Sequence, residues 1–264
     1  MNIQAIASDL DDTLLDDREE LSPFTLETLR ACIRRGIHII PASGRTLQSM
    51  RPFAEKIGVD CPYVACNGAQ IVSADHQVLE QSTLPAPLAR EIVSVLQQEG
   101  FYIQVYRDDA FFYAQECDSS LQYKKSSGMR GEAVGDLLSF LSFPVPKVLS
   151  VNHPREVRRV MPLMEARFGG RVTLTLSKPY FIEVMPPGIS KASGLEKAAG
   201  LLGVPPENLM VFGDSLNDVS MLRFTPNSVA VENARPEAKE AARYRCPKNT
   251  EDGVARFIRE HVLC

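Results

Sequence analysis

The sequence predicts an α/β protein: a helix-flanked parallel sheet built from both ends of the chain, with a separate α+β domain inserted in the middle. Three observations lead there. Short apolar runs alternate with helical stretches through residues 1–82 and again through 188–264, the pattern of a helix-covered parallel sheet. Two proline clusters, Leu84-Pro85-Ala86-Pro87 and Met185-Pro186-Pro187-Gly188, bracket a stretch in which strands instead follow one another across tight turns. The 264 residues are 44% hydrophobic and 23% charged, the balance of a folded globular protein, which excludes disordered, collagen-like and low-complexity classes. The expected domains are a core of 1–82 and 188–264 and an insert of 83–187.

The core opens with Ile3-Gln4-Ala5-Ile6-Ala7-Ser8, an apolar run ending at acids, which reads as a buried strand. Ser22-Pro23 supplies a helix start. Phe24, Leu26, Leu29, Cys32 and Ile33 keep roughly helical spacing, and Gly36 stands where a C-terminal cap belongs. Ile37-His38-Ile39-Ile40 is the second strand, followed by Pro41-Ala42-Ser43-Gly44 and a helix from about Thr46. Tyr63-Val64-Ala65-Cys66 is expected as a third strand of the parallel sheet, ending at Asn67-Gly68. In the insert, a helix over 88–99 leads to strands over 101–106 and 110–114, with Arg107-Asp108-Asp109 as the turn. Tyr102, Tyr106, Phe111, Phe112 and Tyr113 are expected to pack that sheet. A strand over 148–151, a helix over 154–168 and strands over 172–176 and 180–185 make the sheet largely antiparallel. The core resumes with a helix over 190–202 and a strand over 209–212 that runs into Gly213-Asp214. A short helix from Asp218, a strand over 228–231 and helices from Pro236 and Asp252 follow.

Several classes are excluded. The net charge is −4 and like charges cluster only as pairs such as Lys124-Lys125, so the basic stripe of a nucleic-acid binder is missing. No apolar run approaches the ~20 residues that span a bilayer, and the acidic opening MNIQAIASDLDD does not read as a signal peptide. Six cysteines without a CxxC pair are expected to be reduced thiols of a cytoplasmic protein. His38, His76, His153 and His261 lack ligand spacing and predict no zinc site.

The chemistry gathers at the ends of the core strands, where open parallel sheets bind ligands. Asp9-Leu10-Asp11-Asp12-Thr13, Ser43-Gly44-Arg45 and Gly213-Asp214-Ser215-Leu216-Asn217-Asp218 follow strands, while Gly188-Ile189-Ser190-Lys191 opens a helix. Asp9, Asp11, Asp214 and Asp218 then crowd one rim, with Asp12 nearby, and like charges that close disfavour mutual ionisation. An all-oxygen set of this kind suits Mg2+. Lys191 lies in the first turn of its helix, where a cation opposes the macrodipole by about 0.3–1 kcal/mol. Together with the helix N–H groups it makes an anion site, and Ser43-Gly44 ahead of the next helix makes a second. Two anion sites beside a carboxylate-held cation describe a phosphate pocket, and a carboxylate can attack phosphorus to give an acyl phosphate. Each residue alone has an ordinary reading: paired Asp in a turn, Ser43 and Asp218 as helix caps. Their joint occurrence decides, since Asp-x-Asp-x-Thr alone arises by chance about 0.03 times in such a chain at ~5% usage per residue.

On these motifs the sequence resembles the phosphatases of the haloacid dehalogenase superfamily. DLDDT (9–13) matches the first motif, Asp-x-Asp-x-Thr; Ser43 matches the second, Lys191 the third and GDSLND (213–218) the fourth. The long insert between Ser43 and Lys191, with CNGA (66–69), is similar to the Cof-type branch, which carries an α/β cap on a Rossmann-like core. Many relatives have Gly where this chain has Asp12. The resemblance implies that Asp9 is the nucleophile and Asp11 the general acid and then base. It implies Mg2+ held by Asp9, the main-chain carbonyl of Asp11 and Asp214, with Asp218 orienting or entering the shell. Ser43, Gly44, Lys191 and Asn217 are implied phosphate contacts, and Arg45 and Asn67 candidate substrate contacts. The expected function is hydrolysis of small phosphorylated metabolites through an aspartyl phosphate, with the cap reading the leaving group. A phosphosugar mutase on the same scaffold and a non-catalytic phosphometabolite sensor remain as alternatives; a sensor would not need Asp9 and Asp11 together.

Overall fold

The computed structural model describes residues 2–264. It divides into two compact units: the first takes in the chain up to Thr46, Met50–Glu80 and Ser190–Cys264, the second Leu47–Ser49 and Gln81–Ile189. The first part of the chain forms β1 (Ala5–Ser8), α1 (Pro23–Arg34), β2 (His38–Pro41), α2 (Leu47–Ile57), β3 (Tyr63–Ala65), β4 (Gln70–Val72) and β5 (Val78–Gln81). The middle forms α3 (Ala86–Gln98), β6 (Tyr102–Arg107), β7 (Ala110–Tyr113), α4 (Asp118–Ser127), β8 (Arg130–Ala133), α5 (Leu137–Phe140), β9 (Val148–Val151), α6 (Pro154–Phe168), β10 (Thr173–Thr175) and β11 (Phe181–Met185). The last part forms α7 (Lys191–Leu201), β12 (Leu209–Gly213), α8 (Val219–Phe224), β13 (Asn227–Val231), α9 (Pro236–Ala241), β14 (Tyr244–Cys246) and α10 (Gly253–His261).

In the first unit the main sheet runs β14-β13-β12-β1-β2, and every neighbouring pair is parallel. The interior strand β1 is buried along its whole length, and its unbroken small and apolar residues suit a strand covered on both faces. Its register sets Ser8 level with Phe212 and with Pro41, so Asp9, Asp214 and Ser43 leave the sheet at the same end. Helix α1 begins where Ser22 accepts a hydrogen bond from the Thr25 N–H at 3.0 Å and Pro23 enters the first turn.

The run 63–66 does not lengthen the parallel sheet as expected. A single parallel bridge, Ala42 to Val64, ties β3 to it, while β3 pairs antiparallel with β4 in a separate β3-β4-β5 sheet. The turn after β3 is the cause. Cys66, Asn67 and Gly68 have φ of 50, 54 and 100°, three left-handed residues in a row that send the chain back along itself. A Cβ on Gly68 would lie 2.1 Å from the Ser190 carbonyl oxygen, so the approach to α7 rests on this turn backbone to backbone. Gly68→Ala therefore meets both a disfavoured φ and a main-chain clash, and is expected to destabilise by at least about 3 kcal/mol. Gly36→Ala shares the left-handed backbone, with φ +77° and nothing within 4 Å of its Cβ, and should lose only about 1–2 kcal/mol. Denaturant midpoints of the two variants separate the clash from the strain.

The second unit holds a six-stranded sheet in the order β10-β11-β9-β6-β7-β8, antiparallel except for β7 beside β8. Strands β6 and β7 turn at Asp108, whose φ is 54°. Alternation along β7 splits the aromatic residues. Phe112 packs with Ile92, Leu96, Val105, Val160 and Val184 into the larger core, whereas Phe111 and Tyr113 join Tyr106, Met129 and Leu149 in a second cluster. Beside Tyr106, Lys147 Nζ and Glu183 Oε2 form a buried ion pair at 2.8 Å.

All six cysteines are free thiols, with Cys117 and Cys264 exposed and the others buried. One histidine has neighbours that its sequence spacing does not show: ligand atoms of His38, Asp60 and Cys61 lie within 4.8 Å of one another. There the Cys61 thiol donates to the Ile39 carbonyl at 3.2 Å, and burial pushes it up to about 12, away from the thiolate that metals bind. No described helix is long and apolar enough to cross a membrane.

Candidate active site

Three carboxylates and one ammonium meet where β1, β12 and α7 end or begin. Asp9 follows β1 directly, and its N–H donates to the Phe212 carbonyl at 3.1 Å. Lys191 is the first residue of α7, whose N-cap Ser190 accepts from the Ser193 N–H. The Lys191 ammonium is wholly buried and donates to Asp9 Oδ1 at 2.5 Å and to Asp218 Oδ1 at 2.6 Å. Asp218 Oδ2 accepts from the main-chain N–H groups of Asp214 and Ser215, each at 2.9 Å. Thr13 donates its hydroxyl to Asp214 Oδ1 at 2.7 Å. The Thr13 of the first motif thus fastens the first acid of the fourth, a role that spacing does not reveal. Gly213 is needed next to this cluster because a Cβ there would stand 2.6 Å from Cβ of Asp218.

A second set of contacts joins the remaining residues. Asp11 lies in the turn after β1, closed by Thr13, Leu14 and Leu15 N–H groups donating to the Leu10 carbonyl. Asp12, where many relatives have Gly, has φ of 60°, a backbone that Asp tolerates better than most residues. Arg45 grips both oxygens of Asp11, Nε to Oδ2 at 2.9 Å and Nη2 to Oδ1 at 2.6 Å, and Nη2 also reaches Glu19 Oε2 at 2.8 Å. Glu19 carries no motif, and its part in the site was not legible from spacing. Ser43 is buried and its Oγ accepts from the Arg45 N–H at 3.1 Å, which leaves its own O–H to donate. Gly44 is half-buried between them. The Ser43 carbonyl accepts from the Asn67 N–H at 2.9 Å, and Asn67 Oδ1 accepts from Asn217 Nδ2 at 2.9 Å. Asn67 is buried and serves Asn217, which brings the second motif to the fourth. Asn217 Oδ1 is buried with no hydrogen-bond partner, an acceptor of the kind that ligand or water donors satisfy.

Ligand oxygens of Asp9, Asp214 and Asp218 lie within 4.8 Å of one another. Once ionised, three carboxylates against the one Lys191 ammonium leave two negative charges over, which one divalent cation cancels. Burial pushes Asp9 well above the usual carboxylate range, Lys191 pulls it back, and the Asp218, Asp214 and Asp11 charges push it further up. Burial and then Asp218 push Asp214 up to about 7. Burial works against the charge on Lys191, but Asp218 and Asp9 outweigh it and hold the lysine above its ordinary value. A hard cation bound by oxygens fits this set. Both Asp218 oxygens are already engaged by Lys191 and two amides, which suits it to orient the others. The Asp11 carboxylate is taken by Arg45.

The raised carboxylates give a pH dependence. Unfolded, Asp214 loses its proton near pH 4; folded and metal-free, it keeps it up to about 7. The stability this contributes is complete below about pH 4 and is lost as pH rises through about 7. Cation binding needs the ionised form, so thermal stabilisation by added Mg2+ is expected to grow from about pH 6 to about pH 8. Asp214→Asn should flatten that rise, and scanning calorimetry at fixed Mg2+ across the range checks it.

Comparison with known proteins shows the family. A family model described as haloacid dehalogenase-like hydrolase matches residues 6–258. The chain is 30% identical, over all of its length and 97% of the relative's, to the 5-amino-6-(5-phospho-D-ribitylamino)uracil phosphatase YcsE of Bacillus subtilis. It is 27% identical to the pyridoxal phosphate phosphatase YbhA of Escherichia coli, with both chains covered in full. Among solved structures it is similar to a haloacid dehalogenase-like hydrolase from Bacteroides thetaiotaomicron, with a TM-score of 0.87, 28% identity, and 98% of this chain and 99% of that one covered.

Proposed function

The chain belongs to the haloacid dehalogenase-like hydrolases, and from that premise we propose that it is a Mg2+-dependent phosphatase of small phosphorylated metabolites that works through a phosphorylated Asp9. The observation that carries the proposal is the wholly buried Lys191 ammonium shared between Asp9 and Asp218, with Asp214 adjacent. An aspartate held in place by a lysine, among carboxylates two charges short of balance, is built to receive a cation and a phosphoryl group together.

In the proposed reaction a carboxylate oxygen of Asp9 attacks phosphorus, the P–O ester bond breaks, and the proton of Asp11 goes to the leaving oxygen. Asp11, now ionised, takes a proton from the water that hydrolyses the aspartyl phosphate; one group serves both half-reactions in opposite protonation states. Lys191, the Ser43 hydroxyl, the Gly44 main chain and Asn217 hold the phosphoryl oxygens. Mg2+, held by Asp9, the Asp11 carbonyl and Asp214 and oriented by Asp218, would supply charge neutralisation to the transferring group. Residues 83–187, the insert, are assigned the recognition of the leaving group.

The relatives' names point to phosphorylated ribitylaminouracil and pyridoxal compounds, so the test panel contains both types together with sugar phosphates. Phosphate release from at least one of them, present with Mg2+ and lost with chelator, is the expected result. Isomer formation without free phosphate would move the assignment to a mutase, and tight binding without turnover to a sensor.

A further inference from the structure

We propose that Arg45 and Glu19 are positioning residues that place Asp11 for proton transfer, with Glu19 as the second seat that lets Arg45 release one Asp11 oxygen. The inference rests on the phosphatase reading above but concerns residues to which that reading gives no such part. In the structure the Arg45 fork occupies both Asp11 oxygens, at 2.9 and 2.6 Å. Each oxygen held that way is fixed in place with one lone pair committed to the guanidinium, and letting go of one makes that lone pair available to a leaving group. Nη2 is shared, since it lies 2.6 Å from Asp11 Oδ1 and 2.8 Å from Glu19 Oε2. Nη2 carries two N–H groups, so the one to Asp11 Oδ1 can let go while Nε still holds Oδ2 and Glu19 still holds the largely buried guanidinium.

The surroundings are built to hold this arrangement. Glu19 has φ of 59°, a left-handed conformation that a non-glycine residue keeps only where neighbours impose it. Asp16 imposes it: its Oδ1 accepts from the Arg18 and Glu20 N–H groups, each at 2.9 Å, and its carbonyl accepts from the Glu19 N–H at 2.9 Å. On the other side the Arg45 guanidinium lies 5.2 Å from the centre of the Phe53 ring, and the Arg45 N–H is tied to Ser43 Oγ. Burial works against the charge on Arg45, yet Asp11 and Glu19 hold it above its ordinary value, so the guanidinium is a permanent cation.

The test isolates the transfer to Asp9 by following single turnovers with enzyme in excess and Mg2+ present. p-Nitrophenyl phosphate has a leaving group stable as an anion and needs no proton from Asp11; an alkyl phosphate needs one. The readout is the ratio of the alkyl rate to the aryl rate. Glu19→Gln is expected to lower that ratio, and Arg45→Ala to lower it about tenfold or more, within the 10²–10⁴ that general acids supply. Arg45→Lys, which keeps the charge and loses the fork, should fall between Arg45→Ala and the unaltered chain. A ratio unchanged within about threefold in both Glu19→Gln and Arg45→Ala overturns the proposal, whether or not both rates fall together as a structural or phosphate-binding role would make them. Should Arg45→Ala not fold, the half-exposed Glu19→Gln decides alone. An unaltered chain that transfers phosphate from neither ester overturns the phosphatase reading instead, so the two failures are distinguishable.

Discussion

Asp9→Asn is expected to cut phosphate release by roughly 10⁴-fold or more while leaving the chain folded. Removal of a nucleophile whose partners act with it as a unit typically costs this much or more. Asn keeps nearly the shape of Asp and one oxygen able to accept from Lys191, but it cannot form the acyl phosphate. Its stability should hold or rise, because a buried carboxylate repelled by Asp218, Asp214 and Asp11 has been removed. Phosphate release and a thermal melt on the same preparation check both halves. Release within tenfold of the unaltered chain would remove Asp9 from the nucleophile's role.

The second large effect is at Lys191. Lys191→Met retains much of the packing and deletes the charge, leaving the buried Asp9 and Asp218 without their shared cation. Breaking a buried pair by removing one partner costs about 3–5 kcal/mol. The loss should be greatest at neutral pH in chelator and should shrink with saturating Mg2+, which takes over part of the neutralisation. Activity should be lost under both conditions, because the ammonium is also assigned to the phosphoryl oxygens. Urea midpoints with and without Mg2+ measure the first effect and phosphate release the second. A variant as stable as the unaltered chain in chelator would show that the Lys191 ion pairs contribute little.

The elements legible in the sequence are those with a strong period or punctuation. Helix α1 has its Ser22 cap and Pro23, and the buried strands β1 and β12 are continuous apolar runs ending at acids. Six further elements go beyond the expectation: β4, β5, α4, α5, β8 and β14. Their signal is weak for physical reasons. β5 (VLEQ) is exposed along its length, α4 (DSSLQYKKSS) has no apolar stripe, β8 (RGEA) contains a glycine and charges, and the rest are three or four residues long. The parallel placement of β3 failed because nothing in Cys66 announces a left-handed backbone, and that turn decides the pairing. At the site, the residues at strand ends were legible because parallel strands deliver them to one rim. The contacts of Glu19, Thr13 and Asn67 were not, because each joins segments by tertiary packing alone; Thr13 and Asp214 are separated by 201 positions.

The position of β1 has a consequence for synthesis. It lies between β2, which follows it closely, and β12, whose Leu209 pairs with Ala5 across 209 − 5 = 204 positions. At roughly 5–20 residues per second a ribosome needs about 10–40 s to bridge that gap. Throughout that interval β1 has no neighbour on one edge, a bare row of amides and carbonyls open to the wrong partner. The contiguous segment 81–189 is complete well before then and can fold while the first unit still waits for its last strands. Asp9 cannot meet Lys191 or Asp214 until most of the chain has left the tunnel, so a truncated product carries the insert but not the candidate site. Nascent chains arrested before about residue 210 are the species in which this protein most needs a chaperone.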